Sequence, residues 1–457
     1  MAVRGLCKRT SRENRFSFAS PSDRFAVMAL VPIPSTNSVA AAAGNVAHKL
    51  LYGGLADLRP MPRTLIDEGI LREVYHYRPL AGVEQIGDPI LLVTPLAAPS
   101  SCFDLRRGCS LVEHLLQQGR PVYLVEYGEV SFRNRTLGME HWVEEVVPLA
   151  VEAVARHAGG DNIHVAAWSL GGIFALLAAA DRQDLPIGTI AIYGSPIDVS
   201  EVPLIAPLRP LIDLTGGRII SSVAELLGGA PKPFVRWAFQ LSAAQKMVTK
   251  PVAQLNHLAD ADYLAQLEAV DRFSENMIAY PGRAFGQLYH RFVRRNELVG
   301  GTWRLDDRVI KLSAITQPVL VFAGATDGIA PIPAVRAVVP LLNGSPEVYF
   351  EIVPGGHLGM LTGRSARTSS WLIMDEFMTA HDGIQRTKRQ RPASTKAEST
   401  EKLPSTRAGA PRKAVAKKAV AKKPVAKLAP ATEKAIGSNP NRRYNSANSR
   451  ALGQPRG

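Results

Sequence analysis

Six short apolar runs, spaced by segments of helical periodicity, constrain this chain more than any other feature. They are Ile90 to Val93, Val122 to Val125, Ile163 to Ala166, Ile187 to Ile192, Val319 to Phe322 and Val348 to Val353. Continuous apolar runs of strand length suit strands buried on both faces, and their alternation with helices predicts a parallel sheet sandwiched between helical layers. Ser110, with Glu113 three residues on, is a capping box opening a helix that Gly119 ends, and a second crossover is expected from about Glu140 to His157, stopped by Gly159 and Gly160.

The third run leads into Ala167, Trp168, Ser169, Leu170, Gly171 and Gly172, followed by an Ala/Leu-rich helical pattern. Small residues two before and two after a serine let the backbone turn sharply and leave the hydroxyl exposed above the sheet edge, the nucleophile elbow of a hydrolase. Ala167 stands where such elbows usually carry a glycine.

A serine hydroxyl needs a histidine base, itself oriented by a carboxylate. Asp327, in Gly324–Gly328 after the fifth run, and His357, in Gly355–Leu358 after the sixth, supply both in the order Ser, Asp, His. The separations of 158 and 30 residues leave room for an insertion in the first gap and one crossover in the second. His114, His141 and His157 fall in expected helices and His164 in a strand, so none competes with His357. The amide of Leu170 and an amide of the loop after the first run, Leu96 because Pro95 has no N–H, are the expected oxyanion donors.

From Pro196 to about Val309 the strand rhythm stops. Phe285, Leu288, Tyr289, Phe292 and Val293 fall on one helical face, as in an inserted cap that shapes an apolar pocket. The expected organisation is a disordered leader (1–45), a helical or extended lead-in (46–88), core (89–195), cap (196–309), core (310–380) and a disordered tail (381–457). The fold class is thus α/β, a mostly parallel sheet with an inserted helical cap, an arrangement that resembles the α/β-hydrolase fold.

Charge separates that tail from the rest. From position 381 on, 19 lysines and arginines face 4 acidic residues, whereas 35 face 36 before it, so the formal excess of +14 belongs to the tail. Its five-residue units, Ala414–Lys418 and Ala419–Lys423 with a looser copy at Pro424–Leu428, cannot bury a core. Lysine without interleaved aromatics suits nucleic acid, another polyanion or a lipid-inclusion surface, with contacts that ignore base sequence. The arm resembles those of linker histones and some bacterial nucleoid proteins.

The odd cysteine set, Cys7, Cys102 and Cys109, shows no disulfide framework or metal spacing and points to a reducing, cytoplasmic setting. No apolar stretch reaches the length of a membrane span. The basic first 24 residues precede an apolar run, Phe25 to Val31, too short for a secretory signal; the segment reads as a leader, with Met28 as an alternative start. No metal or organic cofactor is implied.

Between Pro89 and Gly359 the chain resembles the poly(3-hydroxyalkanoate) synthases and their relatives in the α/β-hydrolase fold. The likeness rests on Pro89–Pro95, Phe103–Arg106 with Gly108 and Ser110–Val112, the elbow Trp168–Gly172, Pro281–Arg283, Asn296–Val299, Pro318–Leu320 and Asp327–Pro331. In true synthases the nucleophile is a cysteine in a Gly-x-Cys-x-Gly elbow, whereas Ser169 occupies that place here. A serine ester passes readily to water, which favours a lipase, esterase or thioesterase acting on fatty or hydroxy-fatty acyl groups. The resemblance implies as the alternative an acyltransferase using acyl-CoA, with Asp327 activating a substrate hydroxyl. The cluster Arg291, Arg294 and Arg295 then suits CoA phosphates, although such clusters are more often a solvated helix face. The chain is also similar to the lipase-like portion of actinobacterial proteins that carry an acyl-CoA synthetase.

Overall fold

The computed structural model describes residues 36–160, 162–203, 229–242, 244–305 and 308–383, with side chains omitted for 238–249. The chain divides into two compact units, Met1–Ala393 and Ser394–Gly457, and the described residues belong to the first. The leader before residue 36 and the tail beyond residue 383 lie outside them.

Eight strands form the central sheet: β1 (Arg63–Gly69), β2 (Arg72–Tyr77), β3 (Ile90–Val93), β4 (Val122–Glu126), β5 (Ile163–Trp168), β6 (Ile187–Tyr193), β7 (Val319–Gly324) and β8 (Val348–Val353). Their spatial order is β1-β2-β4-β3-β5-β6-β7-β8. The hairpin β1–β2 and the β2–β4 pair are antiparallel, and all later neighbours are parallel. All six expected strands are present, and the arrangement is the α/β-hydrolase fold. Strands β3, β5, β6 and β7 are buried at every position because helices cover both faces.

Local sequence accounts for the crossovers. Ser110 caps the helix Leu111–Gln117 by accepting from the Glu113 amide at 3.0 Å. The expected box is only half formed, because the Glu113 carboxylate turns instead to the Gly108 amide at 2.7 Å. The second crossover comprises Met139–His141, a π-helical turn at Trp142–Val146 and the helix Val147–Ala158, which Gly159 ends at φ 71°. The helix Leu170–Asp181 is buried at every position but Asp181. A helix apolar all round belongs in an interior, and this one lies under the elbow.

Three stretches differ from expectation. A helix, Thr36–Tyr52, begins inside the stretch expected to be a disordered leader, and the lead-in supplies β1 and β2, whose alternating charged residues suit half-exposed strands near a sheet edge. The cap's last residues form a hairpin, Thr302–Leu305 with Arg308–Lys311, where no strand is expected; alternation of Trp303, Leu305 and Ile310 with polar residues was the signal for it. Arg308 ties that hairpin to the elbow helix by a two-pronged bond to Asp181, both contacts 2.7 Å.

The third correction is the domain's end. Asp382 lies beyond the expected boundary at residue 381, yet it belongs to the fold. It accepts from Arg120 at 2.5 and 2.8 Å, from the Asp88 amide at 2.9 Å, and meets His164 Nε2 at 3.1 Å. Burial alone would raise the Asp382 carboxyl, but hydrogen bonds from His164, Arg120 and the Asp88 amide hold it well below the usual carboxylate range. Asp88, His164 and Asp382 have metal-like spacing among the described residues, but both Asp382 oxygens and Asp88 Oδ2 are engaged by Arg120, Asn162 and backbone amides.

Candidate active site

Parallel strands carry their loops to one edge, and there β5, β7 and β8 deliver Ser169, Asp327 and His357. Ser169 has φ 55° and ψ −123°, a conformation that costs a side-chain-bearing residue about 1–3 kcal/mol and persists only where its surroundings enforce it. The enforcement comes from β6 and the loop after it. The Ser169 amide donates to Tyr193 O at 2.8 Å, while its carbonyl accepts from the Ser195 hydroxyl at 2.8 Å and from the Gly172 amide at 3.0 Å.

The structure brings the three expected side chains together. His357 Nε2 lies 2.9 Å from Ser169 Oγ, and His357 Nδ1 lies 2.8 Å from Asp327 Oδ2. The other carboxylate oxygen of Asp327 accepts from the amides of Ile329 and Ala330 at 2.8 and 2.9 Å. Since a carboxylate only accepts, the Nδ1 proton points to Asp327 and the Nε2 lone pair faces the serine hydroxyl. Both Asp327 and His357 are buried, which shields these contacts from competing water.

Leu170 is the first residue of its helix, so its N–H has no intrahelical acceptor. Leu96 lies buried in the loop after β3, just before Ala97 at φ 67°. Loop and helix are in close contact. A Cβ at Gly171 would stand 2.6 Å from Thr94 O and 2.7 Å from Val93 O, so only glycine lets the backbones approach this closely. The same loop is tied to the cap, since Ala97 O accepts from the Ile278 amide at 2.8 Å.

Ser169 opens into a cavity of about 310 Å³ walled by the elbow helix and the cap. Of the expected cap stripe, Phe285, Leu288, Phe292 and Val293 line it. Tyr289 is buried elsewhere, because residues 288–294 wind as a π-helix, whose wider turn breaks the 3.6-residue periodicity. No charged side chain lines this cavity among the described residues. Arg291 is engaged structurally, pairing with Glu297 at 2.8 Å, donating to Arg304 O at 2.6 Å and stacking 3.4 Å from the Trp303 ring centre. Arg295 meets Glu297 at 3.5 Å, and Arg294 is exposed.

Three contributors were not singled out from sequence. Ser195 braces the elbow, and Trp168 Nε1 donates to His357 O at 3.0 Å. Gly194, at φ 55°, makes room for the pair behind the serine, since a Cβ there would lie 3.2 Å from both Asp327 Oδ2 and His357 Nδ1. A Gly-Ser-Pro run after the β6 strand was the available signal for the first and third.

Over part of its length the chain is similar to poly(3-hydroxyalkanoate) polymerase subunits. The poly(3-hydroxyalkanoate) polymerase subunit PhaC of Haloferax mediterranei is 24% identical over 336 residues, 69% of this chain and 65% of that protein, slightly under two thirds of its length. PhaC of Allochromatium vinosum is 25% identical over 327 residues, 71% of this chain and 90% of that one. PhaC of Synechocystis sp. is 22% identical over 289 residues, 63% of this chain and 76% of the relative. No family model matches the chain. Among solved structures, Est816, described as an N-acyl homoserine lactone degrading enzyme, matches at TM-score 0.38 and 17% identity over 68% of this chain and 99% of its own. Proline iminopeptidase of Mycobacterium smegmatis matches at TM-score 0.39 and 17% identity over 70% and 98%.

Proposed function

For this poly(3-hydroxyalkanoate) synthase-like enzyme of the α/β-hydrolase fold, we propose a serine hydrolase activity on esters or thioesters of fatty or hydroxy-fatty acyl groups. The observation that carries it is the Ser169, His357 and Asp327 relay, with contacts of 2.9 and 2.8 Å. Ser169 Oγ attacks the acyl carbonyl as His357 Nε2 takes its proton. The amides of Leu170 and Leu96 hold the oxyanion, and His357 returns the proton to the departing alcohol or thiol. Water, deprotonated by His357, then cleaves the Ser169 ester and releases the acid. The apolar cavity beside Ser169 suits an acyl chain.

A fluorophosphonate probe tests this directly. Wild-type protein is labelled at Ser169 and releases free acid from acyl esters, whereas Ser169→Ala does neither; a folded wild type that stays unlabelled overturns the reading.

The second reading is transfer to a hydroxyl acceptor from acyl-CoA, favoured by the names of the PhaC relatives. Both Asp327 oxygens are already engaged, by His357 and by two amides, which suits an orienting role better than direct activation of a substrate hydroxyl. With 3-hydroxyacyl-CoA, free acid supports hydrolysis and polymer supports transfer.

The basic tail adds a binding role of another class, towards nucleic acid, another polyanion or a lipid-inclusion surface. A cytoplasmic protein held at inclusions or nucleoid is the corresponding setting. Removal of residues 384–457 tests it by abolishing salt-sensitive DNA retention while ester cleavage continues.

A further inference from the structure

Tyr280 is the only described residue lining the acyl cavity, apart from Ser169, that carries a polar side-chain group. Among the described residues, no protein group takes its hydroxyl in a hydrogen bond. Its backbone is held on two sides. Tyr280 pairs with Ala230 in a two-residue antiparallel ladder, and Gly229, at φ 146°, lies so close that a Cβ there would stand 1.9 Å from Tyr280 O. Two residues earlier, the Ile278 amide bonds Ala97 O at 2.8 Å, tying the same segment to the loop beside the elbow. The ring lies 6.0 Å from that of Phe285, another cavity-lining residue.

We infer that Tyr280 determines specificity, its hydroxyl recognising an oxygen substituent on the bound acyl chain, so that the cavity prefers hydroxylated chains to plain saturated ones. A saturated hydrocarbon chain filling the cavity strips the phenol of water and offers it no acceptor, a penalty borne by every such complex. A chain with a hydroxyl in reach repays that loss. Sites built around a buried hydrogen-bonding group reject analogues lacking the partner far more strongly than apolar pockets reject an added group. Burial pushes the phenol up to about 12, so it remains a neutral donor and acceptor at ordinary pH.

The inference rests on the acyl-cavity reading above but not on hydrolysis, so its test uses binding. Dissociation constants of decanoate and a positional series of hydroxydecanoates are measured by calorimetry on Ser169→Ala and on Ser169→Ala with Tyr280→Phe. The expected result is that at least one hydroxydecanoate binds Ser169→Ala about tenfold tighter than decanoate, and that the phenylalanine variant removes this preference by binding decanoate better, with an unchanged melting temperature. Equal ratios in the two proteins, or no binding of either ligand class, overturn it. Fluorophosphonate labelling of the wild type and of Tyr280→Phe, both with Ser169 in place, reports separately on the nucleophile: normal labelling of both with unchanged binding ratios defeats the Tyr280 role alone, whereas an unlabelled wild type whose binding ratios change as expected defeats the hydrolase reading alone.

Discussion

The indole N–H of Trp168 donates to the carbonyl oxygen of His357 at 3.0 Å, so the residue immediately before the elbow serine holds the backbone of the histidine that the serine meets. The two rings also lie 5.0 Å apart. Strand β5 therefore positions both ends of the Ser169–His357 contact, one through the chain and one through a side chain.

Replacing Trp168 with Phe keeps most of the apolar contact and removes the donor. A net hydrogen bond of about 1 kcal/mol corresponds to roughly a fivefold fall in kcat, with KM nearly constant because the acyl cavity is untouched. Steady-state kinetics on a soluble ester check this; a lower melting temperature with wild-type kcat would show that the bond only supports the fold.

Gly171→Ala forces a methyl group against two backbone carbonyls of the loop after β3, at 2.6 and 2.7 Å. Neither carbonyl belongs to a side chain that can swing aside, so helix and loop must part. Displacing one oxyanion donor costs about a hundredfold or more in kcat. The expected outcome is that loss, together with slower fluorophosphonate labelling, in protein that still melts cooperatively.

Ser195→Ala removes the hydroxyl that bonds Ser169 O at 2.8 Å. Ser169 O keeps the Gly172 amide, so the loss is that of one net hydrogen bond, about 0.5–1.5 kcal/mol. A lower denaturant midpoint with unchanged slope is expected, along with reduced kcat, because the strained elbow loses one of its restraints.

At the opposite edge of the sheet, Asp382 makes stability depend on acid. Its carboxyl is held below the ordinary range by His164 and Arg120, against the opposing effect of burial. The native state therefore binds that proton more weakly than the unfolded chain. The stabilisation is complete above the unfolded value of about 3.9 and drains away as pH falls through it towards the lower native value. Asp382→Asn is expected to lower the melting temperature at neutral pH and to flatten this acid limb. A chain ending after Gly383 melts like the full protein, whereas one ending after Ala380 loses about 1–3 kcal/mol, because Arg120 is left buried without its partner.

Runs such as Val319–Phe322 were readable as strands and are buried on both faces, whereas β8, expected to be buried likewise, is half-exposed because it closes the sheet at its edge; Ser169, Asp327 and His357 stood out by following such runs in a fixed order. Strands β1 and β2 were harder to see, since half-exposed strands near an edge mix charged residues with apolar ones and lose the contrast on which pattern reading depends. Tertiary packing alone decided how near those three side chains come, that Trp168, Gly194 and Ser195 brace them, that Tyr280 faces an otherwise apolar cavity, and that Asp382 closes the domain. Each of these depends on groups distant in the chain meeting through chain reversals and a strand order that local periodicity does not encode.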